Sequence, residues 1–416
     1  MNNVILNTID LFAGCGGLTE GFLQSGHYHT VGAVEWEKAP YETLKHRLES
    51  KWGHDKSERA VIRFDIQRTD ELINGFDDAE YGKHNGLDSL LRGRDIDVII
   101  GGPPCQAYSL AGRIRDEHGM RDDYRNYLFE RYVTIVNHFK PKFFVFENVV
   151  GLLSAAPNGT PITKEIIEAF NKAGYYVIPN FRDALFDVAD YGIPQHRKRV
   201  IILGISKEHF GDSCEQMADD FYKIILPSLK GKPRTVSDAL SGLPALYPLD
   251  EVENFRGTKA SHIQKDEIFV PNHLPRFHSK RDIGVFKLLA EDIQSGERKY
   301  VSIERLKQLY TQITGKKSNI HKYYVLRNDE PSNTIPAHLY KDGMRHIHPD
   351  PEQARSITPR EAARLQTFPD DFEFLGAMMA QYKMIGNAVP VDFAQIVAEA
   401  LYKLYTKNYN NGRIFH

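Results

Sequence analysis

The stretch VILNTIDLFAGCGGL, residues 4–18, decides the fold of this chain. Its first eight residues are mostly apolar and predict a strand, and Leu18 begins a segment with helical apolar spacing. The turn between them carries Gly14, Gly16 and Gly17, and a turn without Cβ atoms lets a ligand approach the backbone closely. A strand, a glycine turn and a helix together predict the first unit of an α/β sheet.

Strand and helix patterns alternate through the first two hundred residues. This alternation predicts a mostly parallel sheet with helices on both faces, which is a Rossmann-like α/β fold. Ligands of such sheets bind beyond the carboxyl ends of the strands. The predicted strands cover residues 4–11, 30–34, 61–64, 98–100, 143–146 and 200–203, and the predicted helices cover residues 18–24, 40–48, 127–139 and 164–172.

The alternation stops after the sixth predicted strand, where segments rich in Pro, Gly and polar residues begin. We interpret residues 1–206 as a catalytic and cofactor-binding domain and residues 207–355 as a smaller domain of irregular structure. Residues 356–416 are expected to complete the first domain. Within them, Thr358 and Glu361 have the spacing of a capping box at the start of a helix.

Composition narrows the class of protein. The chain has 416 residues, and its 41% hydrophobic and 26% charged content is typical of an ordinary globular protein. Its three cysteines, Cys15, Cys105 and Cys214, show neither disulfide-framework nor metal-ligand spacing, so we expect no metal and a reducing compartment. No apolar stretch reaches membrane-spanning length, and we therefore expect a cytoplasmic protein without a membrane partner.

The net charge of -2 argues against a wholly basic nucleic-acid binder. Residues 256–322, however, carry 14 Lys and Arg against 7 Asp and Glu. This local excess is compatible with contact to a polyanion and equally with an ordinary solvated surface.

Acidic residues follow two successive predicted strands in a pattern that suits a nucleoside. Glu35, which is followed by Trp36, is placed to bind two ribose hydroxyls, and Asp65, followed by Ile66, can accept from an exocyclic amine. Trp36 and Phe12 offer apolar faces to an adenine ring. The glycine spacing departs from GxGxxG, so S-adenosylmethionine fits better than NAD or ATP. Each residue alone is also compatible with a generic turn or a surface carboxylate.

Three further segments carry groups suited to catalysis. In Pro103-Pro104-Cys105-Gln106, two prolines stiffen the turn from which the thiol emerges, as suits a nucleophile, although a buried structural cysteine is the alternative. Glu147, at the end of a predicted strand, can serve as an acid. Arg197 and Arg199 alternate on an extended segment and therefore point to one side, where they can hold a carbonyl oxygen, a phosphate or the glutamate.

At these residues the chain resembles the C5-cytosine DNA methyltransferases of the bacterial restriction-modification type, which use S-adenosylmethionine. Six segments resemble the family's motifs, in the family's order. They are residues 10–17, residues 101–106 with Ser109, Glu147-Asn148-Val149, residues 195–199, residues 360–369 and residues 381–390.

The resemblance implies a class I methyltransferase fold in which residues 207–355 form the target-recognition domain. It also implies that Cys105 adds to cytosine C6, Glu147 holds N3 and the exocyclic amine, and Arg197 and Arg199 bind O2 and the adjacent phosphate. The base that removes the C5 proton stays open between water and a side chain. The cofactor-binding residues implied are Phe12, Ala13, Gly14, Gly16, Gly17, Leu18, Glu35, Trp36, Asp65, Ile66, Pro103, Leu128, Asn387 and Val389.

The implied partner is double-stranded DNA, from which the target base must be flipped into the pocket. Ser109, Arg113 and Arg115 would contact the DNA after the nucleophile turn, and Thr334 resembles the threonine that supports the flipped nucleotide. Solvated surface is the alternative for the two arginines. We expect a monomer, and the sequence leaves open whether a cognate restriction endonuclease is encoded alongside.

Two other functions compete with this prediction. One is the same chemistry on tRNA, but the Cys-Phe-Thr tripeptide of that branch is absent. The other is a DNA-binding scaffold without catalysis, which Cys105, Glu147, Arg197 and Arg199 together argue against.

Overall fold

The computed structural model describes residues 4–57, 59–104, 128–157, 159–255, 258–317, 323–341 and 343–410. The chain divides into two compact units, each treated by itself below. Unit 1 comprises Met1–Gly192, Arg197–Lys232 and Ala388–His416, and unit 2 comprises Ile193–His196 and Pro233–Asn387.

Unit 1 contains an eight-stranded sheet in which strands β3-β2-β1-β6-β7-β10-β8 are neighbours in that order, and β9 also pairs with β10. β4 and β5 form a separate hairpin. The strands are β1 (Leu6–Leu11), β2 (Tyr28–Glu35), β3 (Val61–Arg63), β4 (Phe76–Asp78), β5 (Gly82–His84), β6 (Val98–Gly101), β7 (Phe143–Val149), β8 (Tyr175–Tyr176), β9 (Leu185–Asp187) and β10 (Lys198–Ser206).

The first five strands of this order pair in parallel, whereas β10 runs antiparallel to β7. The chain leaves β1 toward β2 and β3 and returns to β6 on the other side of β1, so the carboxyl ends of β1 and β6 flank the switch point where such sheets bind ligands. Residues Phe143 to Phe146 of β7 are fully buried, as a near-continuous apolar run predicts for a central strand.

Each predicted strand and helix of the first two hundred residues has a counterpart in unit 1, and most observed elements extend a little further. Among the described residues of unit 1, the helices before the π-helical turn at Asp220–Ile225 are α1 (Gly17–Gln24), α2 (Lys38–Lys51), α3 (Thr69–Asn74), α4 (Asp88–Leu91), α5 (Leu128–Phe139), α6 (Ile162–Lys172), α7 (Lys207–Phe210) and α8 (Cys214–Asp219). No described helix combines the length and apolar character that crossing a bilayer requires.

Over its described residues, unit 2 contains a β-hairpin, five α-helices and the segments between them. The hairpin is β11 (Leu246–Phe255) and β12 (Thr258–Gln264), and the helices are α9 (Val236–Leu240), α10 (Lys280–Gln294), α11 (Ile303–Thr314), α12 (Pro359–Leu365) and α13 (Met378–Asn387). The predicted capping box is confirmed, because Thr358 and Glu361 exchange side-chain and backbone hydrogen bonds at the start of α12. The last helix, α14 (Val391–Asn410), belongs to unit 1.

The predicted segments 207–355 and 356–416 each divide between the two units. Residues 207–232 group with unit 1, where the Tyr222 hydroxyl accepts from the Leu203 N–H and donates to the Ile201 carbonyl along β10. Residues 356–387 group with unit 2, where Gln366 donates to the Ile385 carbonyl. The assignment of residues 207–355 to target recognition stays a prediction.

Candidate active site

The carboxyl end of β7 carries the first part of the site. The Glu147 carboxylate lies 2.7 Å from Nε of Arg199, and the two side chains are only 13% and 12% exposed. In the register of β10 against β7, Arg199 faces Val149 and Ile201 faces Glu147. Residues two apart on a strand share a face, so Arg199 reaches Glu147 diagonally across the pair.

The antiparallel direction of β10 is what makes this contact. Arg199 is the second residue of β10, and Glu147 is near the end of β7. In a parallel pair the start of one strand lies at the opposite sheet edge from the end of its neighbour. Because β10 is reversed, its first residues reach the edge where ligands bind.

The turn after β6 lies directly against the same carboxylate. A Cβ at Gly102 would lie 2.5 Å from Oε2 of Glu147, so a side chain at this position would displace the carboxylate. Asn148 donates from Nδ2 to the Pro103 carbonyl, and its Oδ1 accepts from the Val149 N–H. These contacts tie the turn that precedes Cys105 to the end of β7. Cys105 itself lies outside the described residues, as do Ser109, Arg113 and Arg115.

Burial dominates the electrostatics of the two arginines. It lowers the pKa of Arg199, an effect that the Glu147 charge opposes, and it lowers the pKa of Arg197 more strongly. Removing one member of such a pair would leave the other charge buried and uncompensated. The carboxylate and the guanidinium therefore depend on each other. Together they offer the polar edge of a planar ring a carboxyl group that can accept a hydrogen bond or act as an acid, and a guanidinium that donates from a fixed position.

Arg197 has different surroundings from Arg199. Its side chain is 1% exposed, and Nη2 donates to the Ala388 carbonyl at 2.9 Å. Its backbone N–H donates to Oδ1 of Asp187 at 3.0 Å. The structure therefore ties Arg197 by both its main chain and its side chain.

The glycine turn after β1 forms the second part of the site. Phe12 is half-buried and has a φ of 59°, a left-handed conformation that is strained for a non-glycine residue and that clusters at ligand sites. The Ala13 N–H donates to the Val34 carbonyl, and the Gly14 N–H donates to Oε2 of Glu35 at 2.9 Å. A Cβ at Gly14 would meet no atom within 4 Å, so the turn has open space beside its backbone.

The ends of β2 and β3 supply the groups that a nucleoside needs. Glu35 is 8% exposed, and burial raises its pKa to about 7, although the N–H groups of Glu37 and Gly14 donate to it. Trp36, next to it, leaves half of its side chain exposed. Asp65 is half-buried two residues after β3 and is followed by the buried Ile66. A carboxylate beside an open glycine turn and an exposed indole fits an adenosyl group with a positively charged sulfonium tail.

The other predicted cofactor residues differ in how deeply they are buried. Gly16, at a φ of 94°, leaves room for Leu44 of α2, since a Cβ would lie 2.5 Å from its Cδ1. Leu18, Pro103, Leu128 and Val389 are buried, whereas Asn387 is exposed at the last position of α13.

A match to a known protein family decides which family this chain belongs to. The model of the C-5 cytosine-specific DNA methylases matches residues 6–403. The chain belongs to this family.

Relatives and solved structures agree with the family. The methyltransferase is 36% identical to the type II methyltransferase M.Bpa9945I of Bacillus paralicheniformis, over 94% of this chain and 98% of that protein. It is 32% identical to the type II methyltransferase M.DdeI of Desulfomicrobium norvegicum, over 97% and 90%. An E. coli prophage protein described as a DNA modification methyltransferase has the same fold, with a TM-score of 0.63 and 24% identity over 96% of this chain and 99% of that one.

These matches confirm the predicted family, the α/β fold and S-adenosylmethionine as methyl donor. They also confirm that the chain is a DNA (cytosine-5)-methyltransferase, and they favour neither the tRNA nor the scaffold alternative.

Asp10 of the methyltransferase is absent from the predicted site residues although it lies in the first motif. It is fully buried at the end of β1, and its Oδ2 accepts from the Thr19 hydroxyl at 2.5 Å. Burial raises the pKa of Asp10 to about 7. A carboxyl near the end of a predicted strand, shortly before a glycine turn, was the signal available in the sequence.

Gln195, in unit 2, is a second residue whose importance only the structure shows. It is fully buried, its Oε1 accepts from the Ile335 N–H, and its Nε2 donates to the Leu365 carbonyl and to Gln366. Thr334, the residue before Ile335, is exposed and donates its hydroxyl to the His196 carbonyl at 2.6 Å. Gln195 and His196 thus hold Thr334 in one conformation.

Proposed function

We propose that this methyltransferase modifies C5 of one cytosine in a short, specific sequence of double-stranded DNA. Cys105 serves as nucleophile, Glu147 as the acid that engages N3 and the exocyclic amine, and Arg199 as the donor to O2. The contact between Glu147 and Arg199 at 2.7 Å, beside the turn that leads to Cys105, is the observation that carries this proposal.

The reaction needs covalent catalysis because cytosine C5 is too weak a nucleophile to take the methyl group unaided. The Cys105 thiolate forms a bond to C6, and the electron pair of the C5–C6 double bond becomes available at C5 as N3 takes up a proton or hydrogen bond from Glu147. C5 then takes the methyl group, while the electron pair of the broken methyl–sulfur bond stays on the sulfur. Loss of the C5 proton to a base and departure of the thiolate restore the ring.

The arginines supply positive charge beside the reacting groups. Arg199 would hold the O2 carbonyl through its fork of donors while its Nε faces Glu147. Both guanidiniums favour the anionic form of a neighbouring thiol. Burial disfavours a charge that has no hydrogen-bond partner. The pocket is therefore most stable when the Arg199 donors bind both Glu147 and the target cytosine.

Chain residues at the ends of β1, β2 and β3 would hold S-adenosylmethionine, which supplies an electrophilic methyl group when bound. Glu35 would accept from the ribose hydroxyls, and Asp65 from the adenine amine. Trp36 and Phe12 would pack against the ring. The raised pKa of Glu35 means that the cofactor meets a carboxyl that ionises near neutral pH.

The DNA contacts are proposals of the same kind. Ser109, Arg113 and Arg115 would contact the duplex beside the target base, and Thr334 would support the flipped nucleotide from its fixed position in unit 2. Residues 207–355 would read the sequence through base edges. We further propose that the enzyme acts as a monomer in the cytoplasm, next to a cognate restriction endonuclease.

The test is transfer of labelled methyl from S-adenosylmethionine to unmethylated genomic DNA, run beside total tRNA and followed by bisulfite sequencing. We expect label in DNA at one short motif and none with Cys105→Ala. Label confined to tRNA would refute the DNA substrate. Label in DNA that persists with Cys105→Ala would refute the nucleophile.

A further inference from the structure

We infer that Arg197 is a positioning residue that couples the target-base pocket to the cofactor pocket. It does so by holding the Ala388–Val389 peptide against the start of helix α1. This inference rests on the proposed function, because it takes Glu147 and Arg199 as the target-base pocket.

The first step is the anchoring of Arg197 itself. The side chain is 1% exposed, and its Nη2 donates to the Ala388 carbonyl at 2.9 Å, across 191 positions of sequence. The backbone N–H of the same residue donates to Asp187. A guanidinium buried to this degree is held by its hydrogen bonds, since an unsatisfied donor there would be costly. Arg197 therefore fixes the position of the Ala388 carbonyl.

The second step leads from Ala388 to the cofactor turn. A Cβ at Gly17 would lie 2.5 Å from the Val389 carbonyl oxygen and 3.1 Å from Cβ of Ala388. One helical turn later, a Cβ at Gly21 would lie 2.5 Å from the Val391 carbonyl oxygen. The backbone of α1 therefore lies directly against the backbone of the Ala388–Val391 segment, and only small side chains fit at this contact.

The third step concerns what α1 positions. Gly17 is the first residue of α1, and the turn from Phe12 to Gly16 precedes it immediately. Phe12, Gly14 and Gly16 all have positive φ values, so the backbone of this turn is confined to an unusual conformation. The position at which α1 begins therefore determines where the turn lies. A displacement of Val389 would therefore shift the backbone N–H of Gly14, which donates to Glu35.

The fourth step connects the other end of Arg197 to the target-base pocket. Arg199 is two residues further along the extended chain, and its Nε lies 2.7 Å from Glu147. Side chains two apart on a strand share a face and lie about 7 Å apart. The segment from Arg197 to Arg199, which leads into β10, thus contacts the Ala388 carbonyl through Arg197 and the catalytic carboxylate through Arg199.

The two arginines should therefore affect different measurable steps. Loss of Arg197 should weaken the binding of S-adenosylmethionine to the free enzyme, and loss of Arg199 should slow the covalent addition to cytosine. The addition of the Cys105 thiolate to C6 can be followed without cofactor. Once the thiolate has added, C5 becomes nucleophilic and can exchange its hydrogen with water. Release of tritium from DNA labelled at cytosine C5 reports this step.

The experiment compares Arg197→Met, Arg197→Lys and Arg199→Met with the control Arg182→Met, which changes an exposed arginine of unit 1. We expect Arg197→Met to raise the Kd of S-adenosylmethionine about 10-fold or more, the loss expected for a charged hydrogen bond. Lysine, which keeps one donor, should recover part of that affinity. Arg199→Met should keep the Kd within about 2-fold and lower tritium release about 100-fold.

Gly17→Ala addresses the same contact from the side of α1. It should also weaken cofactor binding, and its effect should be less than additive with that of Arg197→Met, because both displace Val389. Gly284→Ala is the matched control, since a Cβ there meets no atom within 4 Å. Circular dichroism and thermal unfolding identify any variant that is not folded, and Arg197→Lys replaces Arg197→Met if the latter does not fold.

Two results would overturn the inference. One is a folded Arg197→Met enzyme that binds S-adenosylmethionine like the wild type, whether or not its tritium release falls. The other is additivity of Gly17→Ala and Arg197→Met. A wild-type enzyme that binds the cofactor but neither methylates DNA nor releases tritium would instead refute the proposed function, while the binding comparison would still test the contact of Arg197.

Discussion

Among the buried glutamate–arginine pairs of the two units, Glu361–Arg355 and Glu147–Arg199 differ in how completely they are bonded. In unit 2, Arg355 donates from Nη1 and Nη2 to both oxygens of Glu361 at 2.7 Å, and neither side chain is more than 2% exposed. Glu361 also accepts from the Thr358 N–H. In unit 1, Glu147 faces Arg199 through one close contact and presents Oε2 to the glycine turn, with 13% of its side chain exposed.

The difference shows how to distinguish a structural charge from a functional one. Although burial acts to raise the pKa of Glu361, Arg355 holds this pKa well below its usual range. The carboxylate therefore stays ionised, and both of its oxygens are already hydrogen-bonded within the protein. The Glu147–Arg199 pair keeps bonding capacity free for a ligand. Burial alone does not identify a site, whereas incomplete bonding next to a turn with a candidate nucleophile does.

The largest expected effect is on catalysis at the incompletely bonded pair. Glu147→Gln keeps the shape of the side chain but removes its acid function, and we expect the single-turnover rate of methyl transfer to fall about 10²–10⁴-fold. The measurement uses labelled S-adenosylmethionine and unmethylated DNA. The exposed Glu168→Gln is the control and should transfer methyl at the wild-type rate. A Glu147→Gln enzyme with normal rate would place the acid elsewhere.

The next effect is on stability at the fully bonded pair. Glu361→Gln leaves Arg355 buried without its counter-charge, and we expect the free energy of unfolding to fall by about 3–5 kcal/mol. Denaturant unfolding followed by circular dichroism measures this loss, which should exceed that of Glu147→Gln. If Glu361→Gln left stability unchanged and abolished methyl transfer, the contrast between the two pairs would be wrong.

A third prediction concerns the buried histidines of unit 2. Burial lowers the pKa of His262, His346 and His348 to about 4 and that of His278 to about 3. The unfolded chain takes up these protons near pH 6.5, so the contribution of these histidines to stability is constant above that pH and falls as the pH drops toward 4. One such histidine contributes about 3 kcal/mol over this range.

The chain's two tryptophans allow this loss to be located. Trp36 and Trp52 both lie in unit 1, so their fluorescence reports that unit, whereas circular dichroism reports the helices of both. On acidification we expect the helical signal to fall before the fluorescence changes. His348→Gln should reduce the pH slope, and the exposed His338→Gln should not. Equal sensitivity of both signals would argue against the histidines of unit 2 as the cause.

The smallest effect concerns cofactor affinity near neutral pH. Since burial raises the pKa of Glu35 to about 7, the carboxyl is protonated below that pH and accepts poorly from ribose hydroxyls. We expect the Kd of S-adenosylmethionine to rise about 10-fold between pH 8 and pH 6. Calorimetric titration of the free enzyme measures it. Glu35→Gln should bind more weakly at pH 8 and show a flatter profile; an unchanged slope would assign the titration to Asp10.

Much of the site was predictable because its residues follow short apolar runs. Glu35, Asp65 and Glu147 come at or just after predicted strands, and parallel strands bring their carboxyl ends to one edge. The glycine turn after β1 was predictable for the same reason. The family, the sheet and the cofactor class therefore follow from local patterns in their order along the chain.

The direction of β10 was not predictable from its own residues, because an apolar run of strand length has the same pattern in either direction. That direction decides whether Arg199 meets Glu147, and the chain connection and sheet packing set it. The contact of Arg197 with Ala388 likewise joins residues that no periodicity relates. Gly17 illustrates both sources: the sequence by itself determined a turn that a ligand can approach, and only the tertiary structure placed Val389 where a Cβ would have to be. Local geometry depends on nearest neighbours in the chain, whereas close packing depends on which distant segment arrives.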